Sequence, residues 1–336
     1  MKKILVKKIP LYFLFIATGL LLLIIHQLNN TAPQAKLEIQ QAIAPVVESS
    51  DKIEQVRLKE YNLTSPLLTA ELLSESDNMK ELKRSLNLEI NQLKMNGTIS
   101  EASVYVRILN NGHWTSVNSD AQYAPGSVIK IAAFITFLKM SEQNPKMLSR
   151  EFIAPANINK VPGQTFKTEP MVAGKKYSAT ELLNRMIVNS DNQATLLINE
   201  SLDINLFKKL FTDLGIAEPD VQDPNFKMDV SDLSKFLNIL YNATYLNKNN
   251  SEYALSVLSQ SSFSQGIVNG IPHEIKVAHK FGETGNKTEA QLHETAIVYI
   301  GNDPYLITIM TKGKNVQRLP EVLSDLSKIT YLRMKS

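Results

Sequence analysis

Apolar positions recur along this chain with different periods, and each period predicts an element. Ile9 to Ile25 is an uncharged run that ends in Leu20-Leu21-Leu22-Leu23-Ile24-Ile25. From Gln27 to about Ser65 the sequence is polar, of mixed charge and only faintly helical in period, which predicts a stalk. Over 76–94, Leu82, Leu86, Leu88, Ile90 and Leu93 alternate with Lys and Glu, predicting an amphipathic helix that packs on a sheet. Two alternating runs, 103–109 and 113–118, flank Asn110-Asn111-Gly112, a strong hairpin signal.

After the breaker Pro125-Gly126, the residues Ile131 to Leu138 are almost all apolar, predicting a buried helix with Ser127 in its first turn. A loop with Pro and Gly, 154–176, leads to Ser178-Ala179-Thr180-Glu181, which has capping-box spacing and opens a helix ending near Asn189. Helical patterns continue over 193–214 and 231–245, separated by an irregular acidic loop, 215–229. Strand patterns return at 275–282, 294–300 and 305–310, and a helix over 319–334 closes the chain. This order predicts an α+β fold: one antiparallel sheet built from both chain ends, flanked by helices, with a central all-helical lobe. The expected division is a membrane segment over 1–26, a juxtamembrane stalk over 27–66 and a single domain over 67–336.

Composition narrows the possibilities. With 336 residues and 43% hydrophobic content the chain can bury a large core. The net charge of +3 is interspersed, without the basic stripe that nucleic acid would require. Lys2, Lys3, Lys7 and Lys8 precede the apolar run and no charge follows it until Lys36, so the N-terminus is expected in the cytoplasm and the remainder outside. No small-residue cleavage site is convincing around Asn29, Asn30 and Pro33, so an uncleaved signal anchor is expected rather than a cleaved signal peptide. There is no cysteine, hence no disulfide or thiolate site, and no helical pair of histidines that would suggest a metal. No cofactor is expected, and a monomer is.

The candidate chemistry begins at Ser127 and Lys130, which share a helix face. A serine hydroxyl needs a base, and lysine can act as one when burial or positive neighbours lower its pKa. The unfilled N–H groups of a first helical turn favour an oxyanion there. The plain alternative is a capping serine and a lysine reaching solvent.

Two further stretches follow, Ser190-Asp191-Asn192 and Lys280-Phe281-Gly282. Alone they read as an Asx turn at a helix end and an edge-strand charge. Taken with Ser127-x-x-Lys130, their order and placement resemble the class A β-lactamase and penicillin-binding serine hydrolase superfamily, whose motifs are Ser-x-x-Lys, Ser-Asp-Asn and Lys-Thr-Gly. The resemblance covers roughly 70 to 334 and implies a β-lactamase/DD-peptidase-like fold. It implies that Ser127 attacks a carbonyl while Lys130 takes its proton, and that Ser190 passes a proton to the leaving nitrogen. Asn192 would hold the substrate amide and Asp191 would orient the loop. Lys280 would attract a substrate carboxylate and hold Ser190, and the strand at Gly282 would place the Glu283 N–H, with that of Ser127, as an oxyanion hole.

Two departures from the pattern bear on function. Phe281 stands where the family usually has a hydroxyl that helps to bind the carboxylate, and Thr284 is a nearby candidate to replace it. Glu218-Pro219 imitates the Glu-Pro step of the deacylating loop, but 215–229 is short for it, so Glu218 is either the deacylating base or part of a plain turn. The resemblance thus implies a β-lactamase opening β-lactams through an acyl-serine. The alternatives are a D-alanyl-D-alanine carboxypeptidase acting on peptidoglycan stem peptides, or a catalytically weak cell-wall-binding module.

Overall fold

The computed structural model describes residues 52–58, 63–158, 166, 169–220, 223, 226–285 and 288–335. The expected anchor and most of the stalk lie outside them. Among the described residues no helix is long and apolar enough to cross a membrane.

The sheet has five strands: β3 (Glu101–Ile108), β4 (Trp114–Val117), β7 (Lys276–Gly285), β8 (Ala290–Tyr299) and β9 (Tyr305–Gly313). Their order is β4-β3-β9-β8-β7, every pair antiparallel, so β3 from the first third pairs with β9 from the last. Alternation along the strands serves two cores, one on each face. Val104, Val106, Ile307 and Ile309 pack with α1 (Lys80–Met95) and the closing helix, α8 (Leu319–Met334). Tyr105, Leu306, Met310 and Ala278 face the helical lobe.

At the centre of that lobe is α2 (Lys130–Gln143), in which every residue from Ile131 to Leu138 is at most 6% exposed. A helix apolar on all sides is stable only when enclosed. Around it lie α3 (Ala179–Val188), α4 (Asn192–Asn199), α5 (Ile204–Asp213), α6 (Val230–Tyr241) and α7 (Lys248–Leu258). Truncating a fully buried side chain such as Phe137 would cost about 3–5 kcal/mol.

Several expectations need adjustment. Ser127 lies in a 3-10 turn, Gly126–Ile129, and the α-helix begins only at Lys130. The helix expected over 193–214 is two, α4 and α5, because the Asp203 side chain accepts from Asn205 N and Leu206 N and starts a new helix there. The helix α7, capped by Asn247, had no clear apolar period to announce it. Part of the expected stalk belongs to the folded unit. Strand β1 (Ile53–Arg57) pairs with β2 (Leu67–Leu72), and Val56 packs against the core. A short ribbon, β5 (Glu151–Ile153) with β6 (Lys176–Ser178), leads into the capping box at Ser178.

Candidate active site

The turn carrying Ser127 is held from three sides. Tyr123 and Met228 exchange backbone hydrogen bonds at 3.0 and 2.9 Å. The buried imidazole of His293 on β8 accepts at Nδ1 from Thr311 N, so its Nε2–H donates to the Ala124 carbonyl at 3.0 Å. That geometry requires the neutral ring, and burial pushes its pKa down to about 4. The third constraint is β7, whose backbone runs directly against the turn. A Cβ at Gly282 would stand 2.7 Å from Ser127 N, and one at Gly126 would stand 2.7 Å from the Glu283 carbonyl oxygen. Gly126 also has φ of 53°, which favours glycine. Two glycines thus bring the backbones of Ser127 and Glu283 to one junction of turn and strand.

One turn on, Lys130 is 6% exposed and its Nζ donates to the Ser190 carbonyl at 2.6 Å and to Asn192 Oδ1 at 2.7 Å. Burial lowers its pKa to about 7, against the opposing pull of the Asp191 and Glu283 carboxylates. An amine that titrates near neutrality can accept a proton from a hydroxyl, which an ordinary surface lysine cannot.

The Ser190 carbonyl reaches Lys130 because Ser190 has φ of 56°, a left-handed conformation costly for a residue with a side chain. Its neighbour holds it there. Asp191 is 2% exposed; its Oδ1 caps α4 through Gln193 N and Ala194 N, and its Oδ2 accepts from Arg185 Nε at 2.8 Å. The Asp191 N–H closes the turn onto the Arg185 carbonyl. Asp191 is therefore a positioning residue. The Ser190 hydroxyl is buried and has no hydrogen-bond partner among the described residues.

Lys280 departs from expectation. It is fully buried, its Nζ donates to the Phe281 carbonyl at 2.7 Å, and it lies 4.5 Å from the centroid of the Phe281 ring. Its amine is engaged by that adjacent carbonyl and does not bond the Ser190 hydroxyl. Burial first and the neighbouring Lys130 second hold its pKa well below the ordinary lysine range, with Glu294 pulling the other way.

Glu218 is not brought to this cluster. Its half-exposed carboxylate pairs with Lys208 on α5 at 2.8 Å, a surface contact that a turn after α5 accounts for. Thr284 lies on β7 opposite Gln291. Sequence reasoning missed His293 and Arg185, which act through others and carry no local signal, and the effect of the Glu283 carboxylate on Lys130.

Solved structures share this fold at low identity. The chain matches a penicillin G acyl-enzyme of a PBP-A mutant with TM-score 0.67 and 17% identity, covering 78% of this chain and 99% of that one. It matches the TLA-1 extended-spectrum β-lactamase with TM-score 0.65 and 15% identity, covering 77% and 100%. For a class A β-lactamase from Mycobacterium abscessus the values are 0.64 and 17%, covering 76% and 100%. No curated protein matches the chain. The model of the Beta-lactamase enzyme family, Beta-lactamase2, matches residues 84–334, a span that begins within α1 and ends with α8. With that match over most of its length, and with all three motifs at the edges of one junction, the chain belongs to the beta-lactamase enzyme family and is a serine hydrolase.

Proposed function

We propose that this hydrolase opens β-lactams through an acyl-Ser127 intermediate. The observation that carries this reading is Lys130, buried three residues from Ser127 with a pKa near 7. In this reading the neutral Lys130 amine takes the Ser127 proton as Oγ adds to the lactam carbonyl. Charge on the tetrahedral oxygen is met by the Ser127 and Glu283 N–H groups. The C–N bond then breaks, and the Ser190 hydroxyl, refilled from Lys130, delivers the proton to the leaving nitrogen. Water cleaves the ester and restores Ser127. Asn192, already bonded to Lys130, holds the substrate amide. The basic and apolar segment 1–26 is proposed to anchor the domain, outside the cytoplasm, to the membrane.

A second reading is a penicillin-binding peptidase that acts on peptidoglycan stem peptides and releases β-lactams slowly. One observation favours it: Glu218, the only sequence candidate for a deacylating base, is paired with Lys208 at the surface. The two are separated by intact mass spectrometry of the full chain with benzylpenicillin over time, with Ser127→Ala as control. An adduct that forms and vanishes with product release supports the lactamase. A persistent adduct supports the peptidase. No adduct on the wild type overturns both and leaves a binding module.

A further inference from the structure

Phe281, which replaces the hydroxyl residue of the third motif, is part of a built cluster. Strand alternation puts His279 and Phe281 on one face of β7, and Glu294 on β8 stands opposite Phe281. Phe281 is 1% exposed and stacks on Phe263 with centroids 4.3 Å apart and planes at 21°. Phe166 meets both rings edge-on, at 5.0 and 5.7 Å. The loop that presents Phe263 is fastened at both ends. Ser262 N donates to the Val188 carbonyl, and Ile267 N donates to Glu294 Oε2 at 2.7 Å. The other oxygen of Glu294 meets His279 Nδ1 at 2.6 Å.

These rings wall a cavity of about 380 Å³, whose other described lining residues are uncharged and polar and include Asn189, Ser262 and Gln265. Its lining neighbours the candidate active site in sequence at two points, since Asn189 precedes Ser190 and Phe281 precedes Gly282. The expected cation, Lys280, shows no surface to it and has its amine on the Phe281 carbonyl.

We propose that this cavity receives an uncharged end of the acyl donor, an ester or amide, and that Phe281 determines that selectivity. The inference rests on the acyl-enzyme reading above. A carboxylate brought here would lose hydration and meet a phenyl ring where a hydroxyl could have donated, with no charged side chain among the described lining residues to offset the cost. An ester or amide loses far less hydration, and the hydroxyl and amide side chains of the rim suffice for it.

The test compares acylation of the full chain in detergent by benzylpenicillin and by its methyl ester, each rate divided by that compound's hydrolysis by hydroxide in buffer. In the wild type the ester is expected to acylate at least as fast as the acid. In Phe281→Thr the ratio is expected to shift toward the acid by about tenfold or more, as one regained charge-assisted hydrogen bond would produce. A wild type that prefers the acid by about tenfold overturns the proposal, whether or not Phe281→Thr folds. So does an unchanged ratio in a Phe281→Thr that melts cooperatively. Absence of an adduct from both compounds overturns the acyl-enzyme reading itself, and the proposal with it.

Discussion

The Lys130 amine lies 2.6 Å from the Ser190 carbonyl oxygen, and that contact depends on Ser190 holding φ at 56°. A strained residue between α3 and α4 thus orients the base on α2. Strain of this kind costs about 1–3 kcal/mol and persists only where the surroundings impose it. Ser190→Gly should relieve it while Ser190→Ala keeps it, so the glycine variant is expected to be the more stable by about 1 kcal/mol in urea unfolding. Both should lose acylation by about 10²-fold or more, because both lose the hydroxyl. A glycine variant less stable than the alanine one would contradict the assignment of strain.

The pH dependence of acylation follows from the pKa of Lys130 near 7. A general base acts unprotonated, so the rate should rise with pH, reach half its maximum near 7 and level off above. Adduct formation measured from about pH 5 to 9 by rapid quench and mass spectrometry reads this directly. Lys130→Arg, always charged, should fall by about 10²–10⁴-fold and lose the profile. A half-maximum near 10 would mean the amine is not desolvated in solution.

Asp191 stabilises the turn both as a cap and as the partner of Arg185. Asp191→Ala should cost about 3 kcal/mol, from a lost cap and a half-broken, largely buried pair. Asp191→Asn keeps an acceptor for the α4 amides and should lose less. Because the Asp191 carboxylate raises the Lys130 pKa, either variant should move the half-maximum of acylation below 7. Urea titrations and the same pH series check the two effects separately.

His293 makes stability fall in acid. Its folded pKa of about 4 lies below the ordinary 6.5, so the unfolded chain takes up the proton first as pH drops. The contribution is fully present above about 6.5 and is lost progressively toward 4, a total of about 3 kcal/mol. His293→Gln removes the titration, and its stability should be flatter over that interval. Equal slopes for the two proteins would show that other groups govern the acid limb.

Glu218 should be indifferent for catalysis, since its carboxylate pairs with Lys208 at the surface. The decay rate of the benzylpenicillin adduct in Glu218→Gln should match the wild type, as followed by intact mass. Decay slowed by about tenfold would restore Glu218 as the deacylating base.

Local pattern in the sequence determined much of the architecture. Asn110-Asn111-Gly112 fixes a hairpin, Ser178 with Glu181 starts α3, and the apolar run after Gly126 can be stable only as an enclosed helix, because these signals act over a few residues. Ser127, Lys130, Ser190 and Asn192 were legible as a set from their motifs. The start of β8, 290–293, was not, because Gln291 and His293 look like loop residues until Thr311 on β9 bonds His293 Nδ1 and the Leu292 carbonyl. Nor could a local reading show that Lys280 bonds its own neighbour's carbonyl, that Glu218 is held by Lys208, or that His293 pins the nucleophile turn. The first and last depend on burial, and the partners lie up to 169 residues apart in the chain, so only the packed tertiary structure fixes them.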